Sequence, residues 1–138
     1  MHKIHAYVAQ GCEENIVEGI GMGNLSPFLY SQLLTDEYAA KILTAIMKSP
    51  LSAQQLSEML GIPIAACYRR IKLLEQHGLI MCKERKLSQQ GKRINMYISM
   101  VKNAYIFFED GKLRVRLELV SGVNKEFEDK GENEGNEV

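Results

Sequence analysis

The stretch from Ser52 to Pro63 leaves this chain few choices. Ser52 and Gln55 form an S-x-x-Q pair, a capping box in which each side chain satisfies a backbone N–H at a helix start. Leu56, Met59 and Leu60 follow at helical spacing and give that helix one apolar face. Gly61 then stands where a left-handed residue ends a helix. Two residues later Pro63 suits the opening of another helix, where its missing N–H costs nothing. A short helix, a glycine turn and a longer helix make a helix-turn-helix arrangement.

The flanks extend this pattern. Upstream, Thr35 is the expected N-cap of a first helix, with Asp36 and Glu37 in its first turn, where the helix dipole favours acids. Tyr38, Ile42, Ala45 and Ile46 give it an apolar stripe, and Pro50 closes it. Ala66, Cys67, Ile71 and Leu74 form the apolar side of the third helix, Ile64 to His77, which Gly78 ends. Strand-like texture follows. A first hairpin runs from Ile80 to Ile98 around the turn Ser88-Gln89-Gln90-Gly91. A second pairs Ala104–Glu109 with Lys112–Leu119 across Asp110-Gly111, a dipeptide suited to tight turns. Within it Leu113, Val115, Leu117 and Leu119 alternate with polar residues, so one face should be buried and the other wet.

The predicted fold is mainly α with a β wing (α+β): a winged helix-turn-helix with a three-helix core, a β-hairpin wing and a second C-terminal β-hairpin. It divides the chain into an N-terminal arm at 1–34 with no assigned structure, which is available for dimerisation, the winged domain at 35–100, the second hairpin at 101–120 and an acidic tail at 121–138. Residues 126–138 hold six acids and one lysine. The expectation for the tail is disorder, since such a segment has little apolar surface to offset its chain entropy. Deleting everything after Gly122 should then leave folding unchanged. A tethered mimic of nucleic-acid phosphates and a plain solvated end both remain open as roles for it.

The net charge is zero, yet it is unevenly spread. Between Tyr68 and Arg93 lie Arg69, Arg70, Lys72, Lys83, Arg85, Lys86, Lys92 and Arg93, against Glu75 and Glu84 alone. A segregated basic stretch is the electrostatic footprint of phosphate binding. Other classes find less support. No phosphate-cradling glycine loop, HExxH or nucleophile–base set occurs, so no enzyme and no cofactor are expected. Cys12, Cys67 and Cys82 are scattered, with no CxxC pair and no disulfide framework. His2, His5 and Cys12 cluster near the start at a spacing that matches no defined metal site. The opening MHKIHAYVAQ lacks the apolar run of a signal peptide, and no stretch approaches the ~18 apolar residues of a membrane span. The expected location is cytoplasmic, with no membrane partner.

The residues quoted so far resemble the winged-helix regulators of the ArsR-like class, particularly archaeal members. The likeness runs through TDEYAAKIL at Thr35–Leu43, the LSAQQL start of the second helix, the Gly61-Ile62-Pro63 turn and the YRRIKLLEQHGLI run from Tyr68 to Ile80. It covers roughly half the chain. It implies a transcriptional regulator that binds double-stranded DNA as a homodimer, with the third helix in the major groove and the wing on the backbone or minor groove. By that resemblance Ile64, Ala65, Tyr68, Arg69 and Lys72 are groove-side residues, and Lys86, Lys92 and Arg93 position the duplex from the wing. Arg69 is the expected base reader, because a guanidinium fork matches the two acceptors of guanine. Relatives often carry Ser or Thr near the start of this helix, whereas this chain has Ile64-Ala65-Ala66. Metal-sensing members carry a paired-cysteine motif in a helix, and here Cys67 stands alone.

Each residue also has a plainer role open to it. Tyr68 suits the edge of the core as well as a groove, Arg70 suits an ion pair on the helix flank, and the basic wing residues suit ordinary strand surface. The alternative function is a winged helix that binds protein within a transcription, replication or RNA-processing assembly. That role calls for an exposed apolar patch on the third helix, whereas the sequence there supplies Arg69, Arg70 and Lys72.

Overall fold

A computed structural model describes residues 26–129. The described residues open with α1 (Pro27–Thr35), whose cap is Ser26: its hydroxyl accepts from the Phe28 N–H at 3.0 Å, and Pro27 fills the first turn. All of this helix but its last residue, Thr35, lies within the stretch left unassigned from sequence. One residue, Asp36, separates it from α2 (Glu37–Lys48). Asp36 caps α2, accepting from the Ala39 N–H at 2.9 Å. Thr35, the expected cap, instead closes α1 and donates its hydroxyl to the Ser31 carbonyl at 2.7 Å. The difference has a physical reason: a carboxylate gains more than a hydroxyl at the positive end of a helix.

The centre of the chain forms as its sequence signals require. In α3 (Ala53–Leu60) both halves of the capping box are made, with the Gln55 N–H donating to Ser52 Oγ and the Ser52 N–H donating to Gln55 Oε1. Gly61 ends α3 at φ 70° and ψ 30°. The Ser57 hydroxyl then donates to the Ile62 carbonyl at 2.6 Å and fixes the turn. After it comes α4 (Ile64–Gln76). Ile42 and Ile46 of α2, Leu56 of α3, and Ile71 and Leu74 of α4 meet in the core with almost no exposure.

Two antiparallel sheets complete the fold. The wing pairs β1 (Ile80–Leu87) with β2 (Arg93–Ser99), with a bulge between Cys82 and Glu84. Leu51 bridges to Tyr97 through two backbone hydrogen bonds of 3.2 and 2.9 Å, which ties the α2–α3 connection to the root of the wing. A tight corner at Ser99 leads into β3 (Val101–Glu109), which pairs with β4 (Lys112–Leu119). Asp110 and Gly111 both adopt positive φ, 56° and 76°, as a two-residue type I′ turn requires. Leu113, Val115 and Leu117 are buried as the alternation predicts, and Leu119 is partly so.

The acidic tail departs from the expected disorder. Asn124–Glu128 form β5, which pairs with β4 so that the sheet order is β3-β4-β5. Phe127 lies opposite Val115 and stacks on the Tyr30 ring of α1, with centroids 4.4 Å apart. Glu126 takes Arg114 and Arg116 as partners, and Glu128 takes Lys112. One aromatic residue in register with an apolar neighbour, and acids opposite bases, outweigh a composition that reads as disordered. The rest of the tail, 130–138, lies outside the described residues.

Candidate nucleic-acid interface

The candidate interface is built on α4, whose two sides differ sharply. Ala66, Cys67, Ile71 and Leu74 are buried, while Ile64, Ala65, Tyr68, Arg69 and Lys72 are all exposed. These five stand at steps of three and four along the helix and so form one outward face. All five groove-side residues expected from sequence therefore share a surface. Tyr68 is 55% exposed, so it points to solvent and is no part of the core edge. The helix begins at Pro63 with no side-chain cap, so its first backbone N–H groups remain open.

Arg70, by contrast, serves the scaffold. Its guanidinium donates through Nε and Nη2 to the two carboxylate oxygens of Asp36 at 2.8 and 3.1 Å. It also lies over the Tyr38 ring, 5.4 Å from the centroid. The fork clamps α4 against the capped start of α2, and the Arg70 hydrogen bond holds the Asp36 carboxyl below its ordinary pKa. Asp36→Ala should thus lose both a cap and a clamp, lowering stability near neutral pH by ~1–2 kcal/mol. A depressed carboxylate stabilises the fold above its unfolded pKa of about 4, and that contribution is lost as pH falls toward the folded value. Thermal melts should accordingly show the gap between wild type and Asp36→Ala narrowing from pH 7 to pH 3. A constant gap would mean that charge plays no part.

Beside α4 stands the wing. Its tip is a closed turn in which Ser88 Oγ accepts from the N–H groups of Gln90 and Lys92 at 3.1 and 3.0 Å. Gly91, at φ 82°, supplies the left-handed step. A cleft of about 630 Å³ separates the wing from the helices. Ser52, Gln54 and Gln55 of the α3 start line it, together with Tyr68 of α4 and Lys86, Lys92, Arg93 and Asn95 of the wing. The expected site residues therefore fall in two adjoining groups. Tyr68, Lys86, Lys92 and Arg93 line the cleft, and Ile64, Ala65, Arg69 and Lys72 occupy the open face of α4. Sequence reasoning misses the amides Gln54 and Asn95. Part of their signal is present, since Gln54 lies in the first turn of the helix that the capping box starts.

Ion pairing divides the cations of the molecule by location. On the C-terminal sheet, Lys112, Arg114 and Arg116 are all paired with glutamates. Among the described residues, Arg69, Lys72, Lys83, Arg85, Lys92 and Arg93 make no ion pair, and Lys86 reaches Glu84 only at 3.9 Å. Lys48, Lys102 and Lys125 also lack an ion pair, but they stand singly on three different elements. Open positive charge is thus gathered on α4 and the wing.

The comparison with protein families falls on this same region. Residues 34–83 match the helix-turn-helix domain family. The matched stretch runs from the end of α1 through α4 into the first half of β1, and it includes the Gly61 turn and the whole exposed face of α4. No curated protein matches the chain. Among the described residues no helix is long and apolar enough to cross a membrane. The cluster His2, His5 and Cys12 lies outside the described residues. Cys67 is a free thiol buried against the Ala53 carbonyl, 3.5 Å away, and burial pushes its pKa up.

Proposed function

We propose that this protein is a DNA-binding transcriptional regulator that sets the exposed face of α4 into the major groove and the wing on the adjoining backbone or minor groove. The gathering of unpaired cations on α4 and the wing carries this reading, because a protein that neutralises the arginines of its other sheet has left these to meet phosphate. Arg69 reads a base with its planar fork, supported by Lys72 and by van der Waals contact from Ile64, Ala65 and Tyr68. Lys86, Lys92 and Arg93 hold the duplex across the cleft without reading it. The open N–H groups at the start of α4 suit a phosphate oxygen. The finer likeness is to ArsR-like regulators of the archaeal type, acting in the cytoplasm as homodimers with two recognition helices about one helical turn apart.

The test is a titration of duplex fragments followed by fluorescence anisotropy from low to physiological salt. Affinity should fall steeply, with a log–log slope of about −4 to −6 if each monomer of a dimer contacts two or three phosphates. Absence of binding to any fragment of the source genome at low salt would overturn the proposal. A second reading, in which α4 binds a protein, draws on the exposure of Ile64 and Tyr68. It calls for a partner whose binding hardly responds to salt, because apolar contact is not screened.

A further inference from the structure

The edge strand β3 is long and apolar, and among the described residues no element covers it. Phe108 is 75% exposed and Ile106 38%, although they lie opposite Leu113 and Val115 on the face that forms the core of the C-terminal sheet. Helix α1 covers that face over β4 and β5, where Tyr30 stacks on Phe127, and leaves the β3 margin open. An exposed apolar edge of this length invites another strand, and proteins that do not use such an edge blunt it with charge, proline or a bulge. The opposite edge, β5, carries Lys125, Glu126 and Glu128 in a strand of five residues. In β3 the one register shift lies at the start of the strand, between Val101 and Asn103, and the five residues from Ala104 to Phe108 pair regularly and contain neither charge nor proline.

The backbone of that edge faces outward in a definite pattern. The Asp129 N–H donates to the Leu113 carbonyl, and the Leu119 N–H donates to the Val123 carbonyl, so odd-numbered residues of β4 turn toward β5. Even-numbered residues of β4 therefore serve β3, and Glu109, Phe107 and Tyr105 are their partners in register. Ala104, Ile106 and Phe108 are left with their N–H and carbonyl groups pointing away from the sheet.

We infer that β3 pairs antiparallel with β3 of a second copy of this chain, about a twofold axis at Ile106, to join two three-stranded sheets into one of six strands. The strand is self-complementary in that register. Ile106 meets Ile106 of the partner subunit on the axis, and the small Ala104 meets the large Phe108 of the partner subunit. On the other face Tyr105 lies beside Phe107 of the partner subunit, an aromatic pair across strands, and Asn103 lies beside Glu109 of the partner subunit. A twofold axis perpendicular to the sheet keeps the apolar faces of both copies on one side, as an isologous contact requires. α4 packs on α2, α3 and β1, so the pairing leaves its exposed face free. This inference deepens the dimeric part of the proposed function by naming its surface. Mass is measured without DNA, so its failure is distinguishable from failure of DNA binding.

Sedimentation equilibrium on the full chain at high micromolar concentration tests the pairing. Wild type should give about twice the monomer mass of 15.6 kDa. Ile106→Lys, which sets two like charges together on the axis, should give the monomer mass. Phe108→Glu is the second variant, since a side chain so exposed touches little of its own chain, and it too should give monomer with a melting curve that remains cooperative. A monomeric or polydisperse wild type overturns the pairing, and so does a dimer that survives both substitutions.

Discussion

Removing residues 123–138 should cost the fold ~3–5 kcal/mol, because the cut deletes a whole strand and opens the core beneath it. The truncated chain loses the β4–β5 ladder from Arg114↔Glu128 to Glu118↔Asn124. It also loses Phe127, the ring that stacks on Tyr30, and with it the lid over Val115. Tyr30 is almost wholly buried, and its cover cannot be replaced by solvent without exposing α1. A loss of this size corresponds to a melting temperature roughly 10–20 °C lower in a domain of about this length. Phe127→Ala in the full chain should reproduce a substantial part of the same loss, since stacked aromatics contribute both area and orientation. Differential scanning calorimetry of the three proteins measures both effects. If the truncated protein melts with the full-length one, β5 contributes nothing and the tail is the solvated end its composition suggests.

The second large effect separates reading from holding. Arg69→Ala should weaken binding to the preferred site by ~1–3 kcal/mol while leaving affinity for random duplex nearly unchanged, as a bidentate contact to guanine requires. The combined substitution Lys86→Ala, Lys92→Ala and Arg93→Ala should weaken both kinds of DNA alike. It should also flatten the salt slope by about 2–3 units per monomer, near one for each phosphate no longer neutralised. Arg70→Ala gives a third, distinct result. Its guanidinium is committed to Asp36 and Tyr38, so the loss should appear in the melting temperature and scarcely in the ratio of specific to random binding. Two titration series per variant suffice. Equal loss on specific and random DNA for Arg69→Ala would remove it from the reading face.

Much of this architecture is legible in the amino-acid sequence, and the reason is local. The capping box at Ser52, the left-handed Gly61 and the Asp110-Gly111 turn are each satisfied by residues within a few positions, so sequence alone determines them. The exposed face of α4 is equally readable, since helical spacing assigns sides without knowledge of partners. Elements that rest on distant neighbours are not. The strand β5 exists because Phe127 finds a ring nearly a hundred positions earlier, and composition carries no trace of that meeting. The cleft amides Gln54 and Asn95 line one cavity only once the Leu51–Tyr97 bridge has brought the wing beside α3. Thr35 yields the cap to Asp36 for a subtler reason: two adjacent residues could both accept, and the carboxylate gains more than the hydroxyl from the positive end of the helix.

The tyrosine at position 30 has a consequence for how such a protein is inherited. Its hydroxyl donates to the carbonyl of His77, the residue that ends α4, at 3.4 Å. Its ring meets the imidazole of the same residue edge-on at 6.1 Å. The far end of the helix that presents Arg69 is therefore fastened by a side chain from before the matched segment, and that side chain is covered in turn by one from after it. A gene fragment encoding 34–83 alone would carry every residue of the exposed α4 face and none of this fastening. Recombination that shuffles only that stretch should yield a polypeptide with an open seam, dependent on its new host for closure. The stretch that matches the helix-turn-helix family is thus shorter than the stretch that must travel together.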